Sequence, residues 1–472
     1  MRTARIVVVF ASLLALAPSV EAYRRSRQRE TSGAKGGISP ELGARIDAAI
    51  GRAAVQLKTL LQTELTNAKR LEVGGARPEP VVHNGGGNFT HTYNLWAAGR
   101  VALYAHALVV GGVPPADPII QESWDFLRDR PMRHTYEVAM TLLLRESMIH
   151  PPARPGAGGR ERPARQGRPV GAPRAGGNRD ADWAQQAANW LASGCDGGTW
   201  NYFCPGDTTG YPVEELPQSD YEISGSRDAP AFGADLQALL AKHDQPRTDL
   251  SNTQYAVLGL KAASLLGAKP TGYRSMWRVV VARFLRLQES TGPEVQLALS
   301  SEDAAGPDYT IGMEVDRARG WRYYGNGANV PYASMTTCGL ATMLIAQSEV
   351  PDLSADEQML ITQAARDGLA WFQLNWAVDR NLGADKMPFA IPAEAKYYYL
   401  YGLERCGVLA NFRTIGGHNW YQEGAEHLLP AQRPDGTWPG EGNMETDGLR
   451  TAFAILFLAR GTSADYGVGG AE

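Results

Sequence analysis

Cysteine is scarce in this chain. Four in 472 residues are too few to staple a fold of that length with disulfides. Cys195 and Cys204 flank Trp200-Asn201-Tyr202 and are placed for a local bridge, whereas Cys338 and Cys406 lie in apolar helical patterns as buried thiols. An excess of positive charge is also missing. Lys and Arg number 46 against 50 Asp and Glu, a formal net charge of −4, and this balance argues against nucleic acid as a partner, which needs clustered cations. His-x3-His and Cys-x2-Cys spacings are absent, and no Gly-rich phosphate loop follows a strand, so neither metal nor cofactor is expected. The apolar run Ile6–Leu16 spans about 11 residues, short of the roughly 20 that a membrane span requires. With Arg2 and Arg5 ahead of it and Val20-Glu21-Ala22 behind it, residues 1–22 read as a secretory signal cleaved near Ala22. The mature chain is therefore expected in the periplasm or outside the cell, without a transmembrane span.

What the chain has is helical periodicity. Amphipathic segments at roughly 41–62, 118–128, 182–193, 274–290, 355–373 and 418–432 alternate with apolar ones at roughly 92–110, 134–149, 252–267, 333–348, 397–410 and 448–460. Three apolar segments share one pattern: Thr253-x-x-Ala256-x-x-x-Leu260, Thr336-x-x-Gly339-x-x-x-Met343 and Thr451-x-x-Ala454-x-x-x-Leu458. The small residue one turn after Thr would let neighbouring helices approach closely. A helix apolar all round must be buried on every side, and two concentric layers meet that need. The reading is an all-α chain, an (α/α)6 toroid of internal repeats over 41–466, since a closed repeat ring lets one domain grow this long. Residues 23–40 read as a flexible lead. Residues 151–180, with seven Arg, abundant Gly and Pro and almost no large apolar side chain, read as a disordered insertion.

One turn carries a family likeness. Gln432-Arg433-Pro434-Asp435-Gly436-Thr437-Trp438 ends an outer segment, and an apolar one follows from Thr451. Gly198-Thr199-Trp200 keeps the Gly-x-Trp, and Gln288 is separated from Gly320-Trp321 by an insertion. This Gln-x3-Gly-x-Trp unit resembles the QW repeat of squalene–hopene cyclases and their relatives, the prenyltransferase and terpenoid-cyclase toroids. The resemblance implies structural roles for Gln432, Gly436 and Trp438, the Gln capping helix-end backbone groups and packing on the Trp. It also implies a proton-donating Asp-x-Asp-Asp-Thr motif at the start of an inner helix. Asp249 and Thr253 match that motif, but Ser251 stands at its central Asp and Asn252 at its last. A hydroxyl cannot protonate an alkene, which needs a neutral carboxylic acid aimed into an apolar cavity. Asp249, Ser251 and Asn252 are equally good helix caps. The zinc ligands of the related protein prenyltransferases are matched only in part, by His134-Thr135 and Cys338-Gly339.

Acids and aromatics complete the candidate set. Asp249, Glu314 and Asp316 are the candidate catalytic acids, the last two as paired carboxylates. Asn252, Trp321, Tyr323, Tyr398 and Tyr399 are the candidate binding residues, because aromatic faces stabilise cations, although core packing uses the same side chains. The triple Gly of the loop 83–88 reads as a tight turn or a ligand cradle. The expectation is an exported toroid without cyclase catalysis, binding an apolar small molecule, a glycan or an envelope protein in its cavity or at its rim. The alternative is an enzyme (a lyase, a hydrolase or a terpenoid cyclase/isomerase) that uses a non-standard acid.

Overall fold

Ile46, Ile50, Ala53, Leu57, Leu61, Leu65 and Ala68 recur at helical spacing and are all buried, so one apolar stripe defines α1 (Pro40–Val73). It outruns the expected 41–62 because the stripe continues to Ala68. The computed structural model describes residues 38–73, 96–151, 177–202, 204, 222–242, 249–301, 315–323, 330–350, 352–386, 395–440 and 445–460. The expected signal at 1–22, residues 23–37 of the expected lead, the 83–88 loop, residues 152–176 of the expected insertion, Glu314 and the tail from 461 lie outside the described residues. Residues 177–180, expected to be disordered, instead begin the helix Gly177–Ser193.

The described residues are mostly helical, at 65% with few short strands, as all-α patterning requires. After α1 come α2 (Ala97–Val110), α3 (Pro118–Arg128), α4 (Thr135–Ile149), α5 (Gly177–Ser193), α6 (Ala234–Lys242) and α7 (Leu250–Leu265). They are followed by α8 (Tyr273–Leu287), α9 (Ala333–Glu349), α10 (Ala355–Leu374), α11 (Lys396–Leu409), α12 (Trp420–Ala431) and α13 (Asp447–Leu458). Strands β1 (Ile223–Ser226) and β2 (Ala229–Phe232) form a hairpin before α6. Strand β3 (Glu294–Val295) pairs with β5 (Asp316–Arg317), and β4 (Leu299–Ser301) pairs with β6 (Phe412–Ile415), which also pairs with β7 (His418–Asn419).

Local chemistry sets the helix starts. Asp117 accepts from the Ile119 N–H, with Pro118 at the first helical position of α3. Ser354 and Glu357 form a reciprocal capping box on α10. Glu357 also accepts from Arg278 Nε at 3.1 Å, tying that cap to α8.

Two kinds of helix result. Helix α7 is buried at every position from Leu250 to Ala263, and α9 from Ala333 to Ala346. Helix α10 instead presents Asp356, Gln358 and Met359 to solvent. The buried helices pack in sequence, α2 on α4, α4 on α7, α7 on α9, α9 on α11, α11 on α13, and α13 on α2. The amphipathic ones lie against them: α1 on α2 and α13, α3 on α2 and α4, α5 on α4 and α7. Helices α8 and α10 both pack on α9, and α12 on α11 and α13. Among the described residues no helix is long and apolar enough to cross a membrane. All four cysteines are free and buried. Cys204 Sγ lies 3.1 Å from Thr135 Oγ1, and burial pushes the Cys195 and Cys204 thiols up to about 12, which keeps them protonated.

Candidate functional site

Three turns are built alike and set the positions of the buried helices. The indole N–H of Trp200 donates to Leu191 O at 2.7 Å, that of Trp321 to Phe284 O at 2.9 Å, and that of Trp438 to Leu428 O at 2.8 Å. Each acceptor is a carbonyl in the last turn of an amphipathic helix, a group that helix geometry leaves short of partners. The glutamines join neighbours. Gln288 Nε2, at the end of α8, donates to Ala364 O of α10 at 2.9 Å, and Gln432 Nε2, at the end of α12, donates to Ala49 O of α1 at 2.9 Å. Gly436 has φ +90°, and a Cβ there would stand 2.6 Å from Arg52 O, so only glycine fits. Gly339 serves a different purpose from the one its pattern suggests: a Cβ there would fall 2.1 Å from the Trp321 ring. It makes room for the turn tryptophan.

The Trp200 turn delivers the chain to the start of α7. Trp200 N donates to Thr253 Oγ1 at 2.9 Å, and Asp249 N donates to Trp200 O at 3.1 Å. Asp249 is buried, and its two oxygens accept from Asn252 N and Asn252 Nδ2, both at 2.8 Å. Burial pushes its carboxyl up, against the opposing N–H groups of Asn252 and Ser251. It is the N-cap of α7. The Ser251 hydroxyl lies 2.5 Å from Tyr136 Oη.

The other candidate acids are placed elsewhere or outside the described residues. Asp316 is buried against α10, where Arg366 holds its two oxygens at 2.7 and 2.6 Å and Gln363 Nε2 donates to it at 3.2 Å. Beside it, Asp367 accepts from Arg319 Nε at 2.7 Å and from Arg317 N at 2.8 Å. Removing one member of such a network would strand a buried charge, so Asp316 sits as a structural ion pair, and its hydrogen bonds do not reach Asp249. Glu314 lies outside the described residues.

The candidate binding residues divide. Trp321 is buried under its turn, and Tyr399 donates to Ala377 O at 2.8 Å and stacks on Phe372 of α10, within the core. Tyr323 lies close to Asp249, Tyr202 and Tyr136, and Tyr398 joins a run of rings contributed by the buried helices. There Tyr136 of α4 meets Tyr255 of α7 with ring centroids 4.8 Å apart, Tyr255 meets Tyr398 of α11 at 6.2 Å, and Tyr398 meets Phe453 of α13 at 6.1 Å. Trp96 packs edge-on to Tyr136 and Tyr202 at 5.3 and 5.1 Å. Gln254 Nε2 donates to Tyr398 Oη, and Gln254 Oε1 accepts from Arg405 Nη2. These bonds join α7 to α11, both of which pack on α9.

Glu445, just ahead of α13, completes the group. It is buried, and its Oε1 accepts from Tyr398 N at 2.9 Å while its Oε2 has no hydrogen-bond partner. Burial pushes its carboxyl up to about 7, against Arg450 and Lys396. Gln254, Arg405 and Glu445 went unselected in the sequence. The available signal was polarity itself: a Gln or Arg in a helix that is apolar all round must point at something buried.

Among the described residues no group of three His, Cys, Asp or Glu side chains is placed to hold a metal. His134 pairs with Glu137 at 3.1 Å, and Cys338 Sγ contacts Leu250 O at 3.0 Å. A solvent-open cleft lined by Lys69, Glu72, Glu122 and Arg130 has its charges engaged with one another, Lys69 with Glu122 and Arg130 with Glu72, both at 2.6 Å. Comparison with protein-family models, with curated proteins and with solved structures returns no match for this chain.

Proposed function

We propose that the chain is an exported (α/α)6 toroid of the squalene-cyclase-like kind, which holds a small apolar or ring-bearing molecule among its inner helices and does not cyclise it. The succession of packed helices that leads from α2 through α13 and back to α2 supports the closed ring. The observation that carries the ligand reading is the run of tyrosines, Tyr136, Tyr255 and Tyr398, contributed by three different buried helices to one space. Clustered aromatic side chains with a few fixed polar groups suit small molecules. The case against cyclisation rests on Asp249: both its oxygens are engaged by Asn252, and Ser251 replaces the acid. Thermal-shift screening of a small-molecule library against the mature protein tests the ligand reading. Stabilising compounds should lose their effect on Tyr136→Ala and Tyr398→Ala. Compounds that stabilise both variants as well as the wild type would put the site elsewhere.

A second reading has one observation in its favour. Glu445 is a buried carboxyl with a free oxygen and a titration point near neutrality, the properties of a general acid. In that reading the same space would be an active site with Glu445 as the non-standard acid.

A further inference from the structure

Arg405 is the anomaly among the buried arginines. Of those described, Arg100 faces Glu64, Arg278 faces Glu357, Arg319 faces Asp367, Arg366 faces Asp316 and Arg450 faces Asp447. Arg283 donates instead to the carbonyls of Gly197 and Leu240, at 2.8 and 3.1 Å. Arg405, 1% exposed, has neither: Nη2 donates to Gln254 Oε1, and Nε and Nη1 have no hydrogen-bond partner. A guanidinium does not deprotonate in a protein, so its charge stays in the interior. Its centre lies 4.2 Å from the Tyr401 ring centroid and 5.9 Å from that of Tyr255. Aromatic faces soften a buried cation but do not replace an anion.

The surroundings define what would complete it. Gln254 is held by Tyr398 through its Nε2, so its Oε1 fixes the guanidinium from one side and leaves the Nε and Nη1 donors for an oxyanion. The Arg405 charge bears on Tyr255, Tyr398, Tyr401 and Cys406, while Glu445 acts on Tyr255 and Glu404 on Tyr401 and Cys406 in the opposite sense. A single positive charge balances a monoanion, not a phosphate or diphosphate. The neighbouring tyrosine rings offer flat apolar contact to whatever carries that charge.

We propose that Arg405 is the carboxylate-binding residue of the site between α7, α11 and α13, and that the ligand is a small organic acid with a ring or an apolar body. This rests on the reading that the inner helices enclose a ligand site, and it names that ligand's class. The test is calorimetry on the mature wild-type protein with benzoate, glucuronate and octanoate, their methyl esters, and inorganic phosphate. At least one acid should bind while its ester does not. Arg405→Met should weaken that acid roughly 100-fold and, by removing an unpaired buried charge, raise the melting temperature of the ligand-free protein. Arg405→Lys keeps the charge without the planar fork and should bind the acid with intermediate affinity, which guards against a Met variant that fails to fold. Acids and esters binding alike, with Arg405→Met unaffected, would overturn the charge assignment and leave the ligand site standing. Binding of phosphate alone would overturn the carboxylate class. Failure of every probe to bind, with Arg405→Met less stable than wild type, would make the guanidinium a packing element and overturn the inference.

Discussion

Trp438 donates its indole N–H to Leu428 O at 2.8 Å from a position with no exposed surface. The bond closes the end of α12, and the adjoining Gln432 reaches Ala49 of α1, so this turn links the last part of the chain to the first.

Trp438→Ala should therefore act on the whole fold. Emptying a fully buried tryptophan site and stranding a helix-end carbonyl should cost on the order of 3–5 kcal/mol. Chemical denaturation of the wild type and variant measures it. A loss under about 0.5 kcal/mol would place the residue at the surface.

Glu445 gives a pH-dependent prediction with a definite sign. Its carboxyl moves from the ordinary 4.5 to about 7 in the folded protein. The folded value is raised, so its contribution is fully present below pH 4.5 and is lost as pH rises through 7. The full cost above neutrality is roughly 3 kcal/mol. His106, buried beside Ser147 of α4, is pushed by burial from 6.5 down to about 4. Its contribution is present above pH 6.5 and is lost as pH falls through 4. The two opposing slopes overlap, so the wild-type profile hides both. Glu445→Gln separates them: it should stabilise the protein at pH 8 and leave it unchanged at pH 4.5. An equal effect at both pH values would mean that Glu445 titrates like an exposed carboxylate.

The helical framework was legible because period and caps agree. The segment at 118–128 is read correctly to the residue, since Asp117 and Pro118 mark its start and Arg128 its last turn. Helix α6 was missed. Its nine residues cover little more than two turns, and Leu236 and Leu240 are too short a stripe to stand out from its surroundings. The start of α7 was legible as a cap because Asp, Ser and Asn carry that preference locally. The polar group around Arg405 was not, because it depends on which buried helices face one another. Gln254 and Arg405 stand 151 positions apart, and nothing in either helix's own pattern announces the other. Asp316 illustrates the same limit, since its pairing with Arg366 is set by how β5 lies on α10.

The central claim, that the proposed toroid holds a ligand without proton-initiated cyclisation, meets its most direct test in product analysis. The purified protein would be incubated with squalene and with shorter isoprenoids. With Ser251 at the donor position and Asp249 engaged by Asn252, no cyclic product should rise above the protein-free background, since losing the acid forfeits roughly 10²–10⁴-fold in rate. A cyclic terpenoid that forms with the wild type and disappears with Asp249→Asn would contradict the account and make Asp249 the proton donor.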